Sequence, residues 1–167
     1  MQPEWMEGRL TFNFASVINP VRKPDKDENT LKTVDFIAEY PAVLWLIDVK
    51  DPERTSITHQ QDAIQETLTS ISNDSLLKEH LLPKLYGTFV YLVEKELESR
   101  GNILYVTLIG VTELDAALRS SLRDKIQRYI NRIGPKFQNS HHSPIADVHN
   151  IASWNQAYPG MEITIRS

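Results

Sequence analysis

The chain has no cysteine, which excludes disulfide frameworks, thiol nucleophiles and thiolate metal centres and fits a reducing compartment. Glycine is scarce at six residues, and none of them builds a phosphate-cradling loop or a Gly-x-Ser-x-Gly elbow. A zinc-peptidase histidine pair is missing as well. Nucleotide kinase, dehydrogenase and serine hydrolase chemistries therefore have no support. Long hydrophobic runs are also lacking: the longest, Ala42 to Ile47, is far too short to cross a bilayer. The first ten residues, MQPEWMEGRL, carry Glu4 and Glu7 where a secretory signal would be apolar. A cytoplasmic protein with no membrane partner is the expectation.

What is present is an ordinary globular composition. With 41% hydrophobic and 24% charged residues in 167, the chain can bury one real core, so a single domain over 1–167 is expected. RLTFNFAS (Arg9 to Ser16) alternates as a half-buried strand does, and NPVRKPDKDENT (Asn19 to Thr30) reads as an exposed loop. Two apolar runs, Leu31 to Glu39 and Ala42 to Val49, flank Tyr40-Pro41 and predict a hairpin. Thr58 and Gln61 have the spacing of a capping box for a helix reaching about Ser72. NDS then restarts a helix whose Leu77, Leu81, Leu85 and Phe89 share one row, with Pro83 expected to kink or split it. Asn102 to Val111 predicts a fully buried strand and Thr112 to about Ile133 an amphipathic helix. A short strand (Pro144 to Ile151), a helical turn in ASWNQAYPG and a last strand in MEITIR complete the order. The fold class that follows is α/β: an α/β sandwich with a mixed central sheet flanked by helices.

The second hairpin strand raises a question of charge. Leu44, Leu46, Asp48 and Lys50 share one face and Val43, Trp45, Ile47 and Val49 the other, so both faces are apolar until the strand ends. A turn near Tyr40-Pro41-Ala42 places Asp35 beside or nearly opposite Asp48, and a slip of one residue would turn it away. Two carboxylates meeting at the edge of a core repel each other and need compensation. Lys50 can offset one. A divalent cation, which accepts one or two carboxylates plus water, could offset the other. The alternative is a strand that simply runs out into solvent.

An aspartate, a spacer, and Asp-x-Lys closing a central strand resemble the PD-(D/E)XK nuclease superfamily. Asp35 matches its first motif, although after Val34 instead of proline, and Asp48-Val49-Lys50 matches the second, with Asp where Glu is commoner. The stretch VDFIAEYPAVLWLIDVKDP further resembles small bacterial proteins of this fold with an asparagine-tryptophan-asparagine tail, here Asn150, Trp154 and Asn155 in VHNIASWNQAYPG. The resemblance implies a restriction-endonuclease-like fold. It implies Mg²⁺ or Mn²⁺ held by Asp35, Asp48 and the backbone carbonyl of Val49, with Lys50 positioning water or stabilising charge on phosphorus. A helical Gln or Lys often supports such sites, and Gln60, Gln61 or Lys84 could serve, Lys84 being preferred. The glutamate often found on a preceding helix has no counterpart, Glu28 being the nearest acid.

From Arg119 to Lys136 six basic side chains face a single acid, Asp124, in a chain of net charge −4. Arg119, Arg123, Arg128 and Arg132 suit a DNA or RNA backbone, or else form a solvated helix face. His141, His142 and His149 invite a metal reading, but the adjacent His141-His142 suit an exposed loop better and no acid at a ligand spacing accompanies the three; Trp154 and Tyr158 suit a cap over the core better than a base-stacking platform. Two readings stay open: a metal-dependent nuclease, or a non-catalytic binding protein that retains the nuclease fold. Either could act as a homodimer.

Overall fold

The computed structural model describes residues 5–24, 31–54, 57–97, 102–133 and 144–166. Its spine is the strand β4 (Val43–Lys50), whose partners are β3 (Phe36–Tyr40), antiparallel, and β5 (Asn102–Ile109), parallel. A further parallel strand, β6 (Ile145–His149), gives a mixed four-stranded sheet in the order β3-β4-β5-β6. β3 pairs on its outer side with the Arg22 backbone, which exchanges two 2.9 Å hydrogen bonds with Ile37 and covers that edge.

The alternation in β4 works as its residues dictate. Leu44 and Leu46 pack into a core with Ile37, Ile103 and Tyr105, beneath helices α1 (Ile57–Ser72), α2 (Leu82–Glu94) and α3 (Ala116–Ile133). Trp45 and Ile47 face a second core, built on Phe36, Val106 and Leu108. That second face is not covered by helices alone, as the sequence suggests. A three-stranded antiparallel sheet, β1 (Trp5–Glu7), β2 (Leu10–Phe12) and β7 (Ile163–Ile165), lies over it with the short helix α4 (Ile151–Ala157). The α/β architecture is therefore as expected, with helices on one face and a small sheet plus one helix on the other. No helix of the described residues is long and apolar enough to cross a membrane.

Several boundaries differ from the sequence reading for local reasons. β3 starts at Phe36, not Leu31, because residues 31–34 tuck under α2 instead of entering the ladder. There the Val34 N–H donates to Thr88 Oγ1 at 2.9 Å, and the bare Cα of Gly87 meets the Lys32 carbonyl. A Cβ at Gly87 would stand 2.0 Å from that oxygen. β2 stops at Phe12, and the chain turns at Ser16, whose φ is 64°. α1 begins at Ile57, so Thr58 lies in the first turn and does not cap it. α3 begins at Ala116, where Asp115 Oδ1 accepts the Leu118 N–H at 2.8 Å. Pro83 has the expected effect in an unexpected form: a π-helical stretch, Leu76–Leu81, precedes α2, and the proline sits in its first turn, where its missing N–H costs least.

The tail is structural. Asn150 caps α4 in a reciprocal box with Ser153, Trp154 is fully buried and donates to the Met161 carbonyl, and Asn155 clasps the Ile163 backbone from both sides. Trp154 is thus a core residue, packed edge-on against Trp45 and Tyr158, and offers no face for base stacking.

Candidate functional site

The hairpin register decides whether the charges meet. Phe36 lies opposite Ile47, and the Asp35 N–H donates to the Ile47 carbonyl at 3.0 Å, so Asp35 stands across from Asp48 on the helix-covered face. Beyond Phe36 the ladder stops, and the Asp35 side chain continues it: Oδ2 accepts the Val49 N–H at 2.6 Å. The Val49 carbonyl points to the same edge, as the N–H and C=O of one strand residue do.

Lys84 fills the space between the two acids. Its Nζ lies 2.5 Å from Asp48 Oδ1 and 3.2 and 3.3 Å from the Asp35 oxygens. α2 can deliver this ammonium because Gly87 and Thr88, one turn on, lock the helix against residues 32–34. Burial lowers the Lys84 pKa, but Asp48 and Asp35 more than offset it, and the net shift is upward. For Asp48 the balance falls the other way. Burial pushes its carboxyl up, Lys84 pulls it down, Asp35 adds repulsion, and the result is a pKa of about 7. One lysine shared by two carboxylates leaves the cluster short of positive charge.

Two further groups border this shortage. Asp48 neighbours Thr107 in the parallel ladder, and Tyr105 stands two residues before Thr107 on the same face. Both hydroxyls are buried, and among the described residues neither meets a side-chain partner beyond the other one. Burial, reinforced by the charge of Asp48, holds the Tyr105 phenol well above its ordinary pKa. Sequence reasoning missed both residues, because the β4–β5 register that places them carries no local signal.

Lys50, on the same face as Asp48, does not join the cluster. Among the described residues its ammonium has no ion pair. It lines a cavity of about 310 Å³ between the end of β4, α1 and the π-helical stretch, together with Glu66, Glu79 and His80. Asp35, Asp48 and Lys84 do not line that cavity, and Asp48 is nearly enclosed, with 3% side-chain exposure against 26% at Lys84. Gln60 and Gln61 stand on α1, and among the described residues the side-chain contacts of Asp35 and Asp48 go to Val49 and Lys84, not to either glutamine. Glu28, His141 and His142 lie outside the described residues.

The four arginines are placed elsewhere. α3 packs against β6 and α1, while Asp35 belongs to the opposite edge of the sheet, three strand spacings or about 14 Å away. Arg123 is engaged by Asp124 and Ser120, Arg128 donates to the Asp124 carbonyl, Arg119 is half-buried, and Arg132 is exposed. His149 is held between Ser153 Oγ at 3.1 Å and Asp147 Oδ2 at 3.0 Å, with Tyr158 also donating to Asp147.

Among the described residues no group of three or more His, Asp or Glu side chains could hold a metal ion. A metal at Asp35 and Asp48 would rest on two carboxylates, a backbone carbonyl and water. These are hard oxygen donors that suit Mg²⁺ or Mn²⁺, and the buried hydroxyls of Tyr105 and Thr107 stand beside them. No family model, no curated protein and no solved structure matches the chain.

Proposed function

We propose that the chain is a restriction-endonuclease-like, metal-dependent enzyme that hydrolyses nucleic-acid phosphodiester bonds. The observation that carries this reading is the convergence of Asp35 and Asp48 on one cation-sized point at the end of a core strand. Asp35 and Asp48 would hold Mg²⁺ or Mn²⁺ there, with the Val49 N–H fixing the Asp35 carboxylate. A bound divalent ion supplies charge that polarises a phosphate oxygen and acidifies a water. Lys50, which has no ion pair among the described residues and lines the cavity at the end of β4, would meet the charge that grows on phosphorus as water adds and the P–O bond breaks. Lys84 neutralises the acids when no metal is bound.

A second reading has its own observation. Lys84 already stands on the point that a metal would take, and Asp48 is almost fully enclosed. That suits a binding protein in which the cluster is structural. Calorimetric titration of Mn²⁺ into wild type and Asp48→Ala separates the two. The nuclease reading expects binding in wild type that the substitution abolishes. No heat from wild type at millimolar Mn²⁺ would overturn it in favour of the binding protein.

A further inference from the structure

Along α2, Tyr86, Val90 and Val93 recur at the spacing that sets side chains on one stripe. All three stand clear of the core, with 42, 45 and 53% of their surface exposed. The other side of the helix is occupied, since Lys84 reaches the carboxylates and Thr88 the Val34 amide. Tyr129 of α3 is exposed too, and α3 is tied to the N-terminal side of this helical segment by Lys125, whose Nζ lies 2.5 Å from Asp74 Oδ1; Tyr129 also contributes to the raised Tyr86 pKa. Together these residues form an apolar ribbon that no other described element covers.

The ends of the ribbon differ in charge. At the Tyr86–Tyr129 end stand Arg128 and Arg132, exposed and lining one shallow hollow with Tyr129. At the Val93 end stand Glu94 and Glu96, both exposed, while Lys95 is turned over the Tyr91 ring. A two-fold axis at Val90 would lay α2 antiparallel on a second α2. It would bring each Glu94 end over the other copy's Arg132 end, twice over. A surface that is apolar along its length and oppositely charged at its ends is complementary to itself under such an axis. A nucleic acid fits less well, since Glu94 and Glu96 would repel it along half the stripe.

We propose that the outer face of α2, with Tyr129, Arg128 and Arg132 of α3, is the interface of a homodimer. Because Lys84 projects from the opposite side of α2, the dimer leaves both carboxylate clusters uncovered, and the inference does not depend on their chemistry.

Sedimentation of the full chain tests it. The expected species has twice the 19.2 kDa chain mass, and Val90→Asp is expected to halve it while thermal unfolding stays cooperative. Glu94→Arg alone is expected to weaken the dimer about tenfold or more, and adding Arg132→Glu to restore it, since the pair would only exchange places. A single-chain mass at about 0.1 mM, where a Kd of about 10 µM already gives mostly dimer, would overturn the proposal. So would a dimer indifferent to Val90→Asp, or a failure of Arg132→Glu to rescue Glu94→Arg. A monomer whose Val90→Asp variant loses oligonucleotide affinity would assign the ribbon to nucleic acid instead.

Discussion

Asp48 and Asp51 stand three residues apart where β4 ends, both buried, and each shares one cation with a second acid. Asp51 shares Arg9 with Glu53, and Asp48 shares Lys84 with Asp35. The stoichiometry is the same and the outcome is not. The Arg9 guanidinium spreads its donors over a planar fork, with Nε 3.0 and 3.2 Å from the two Asp51 oxygens and Nη2 2.7 Å from Glu53, so each acid has its own partner. Lys84 offers a single charged nitrogen, and both carboxylates must converge on it. Gly110 packs against Asp51, where a Cβ would come within 2.6 Å of Asp51 Oδ1, while Asp51 also borders the cavity that Lys50 lines. The Asp48 side borders the buried Tyr105 and Thr107 hydroxyls and keeps a carboxyl shifted to about 7. The arginine cluster ties the small sheet to β4 and is complete. The lysine cluster still lacks positive charge, and that difference marks it as the functional candidate.

Removing the arginine should have the largest effect. Arg9→Ala leaves Asp51 and Glu53 facing each other without a counter-ion at the junction of the two sheets. Breaking a largely buried pair costs about 3 kcal/mol, read as a lower urea midpoint with an unchanged slope. Mn²⁺ should give no recovery, because Asp51 and Glu53 are spread along a planar fork and do not converge on one cation-sized point. Recovery by Mn²⁺ would mean that Asp51 and Glu53, not Asp35 and Asp48, form the cation site.

Lys84→Met tests the other cluster by deleting the charge and keeping the stem. The loss should be smaller, about 2 kcal/mol at neutral pH, since Lys84 is partly exposed and Asp48 can take up a proton. Two features set it apart from Arg9→Ala. The loss should shrink as pH falls toward 5, and Mn²⁺ should reverse it by occupying the vacated point. A loss independent of pH and of Mn²⁺ would make Lys84 as structural as Arg9.

The sequence carries the lysine cluster in part and the arginine cluster not at all. Alternation in VLWLIDVK is enough to place Asp48 and Lys50 on one face of a doubly covered strand, and a tight turn at Pro41-Ala42 is enough to bring Asp35 opposite. These are local rules with a period of two. Lys84 follows only as a preference, because its reach depends on how closely α2 approaches residues 32–34, and that depends on Gly87 having no side chain. Arg9 and Asp51 are separated by 42 positions, and their meeting needs a small sheet whose β1, β2 and β7 have three residues each, too short for periodicity to announce their pairing. The basic helix is plain in the sequence, but which strand it covers is a matter of topology.

The smallest effect should also be the most diagnostic, because it changes sign between the two clusters. Asp51→Asn should destabilise, since a neutral amide cannot satisfy the Arg9 fork. Asp48→Asn should instead stabilise the metal-free protein by about 1 kcal/mol at about pH 8, because it removes a like-charge contact and leaves Lys84 with Asp35 alone. The pH dependence follows from the direction of the shift. With a folded pKa of about 7 against 3.8 for the free carboxyl, folded Asp48 holds a proton that the unfolded chain has released throughout the interval between those values. Stability from this group is therefore full below 3.8, falls as pH rises through the interval, and levels off above about 7. Thermal midpoints measured with chelator across this range should decline less steeply for Asp48→Asn than for wild type, the two curves meeting at the acid end. If Asp48→Asn lowers the midpoint at every pH, the charge on Asp48 is as necessary to the fold as that on Asp51, and the two clusters differ in geometry without differing in purpose.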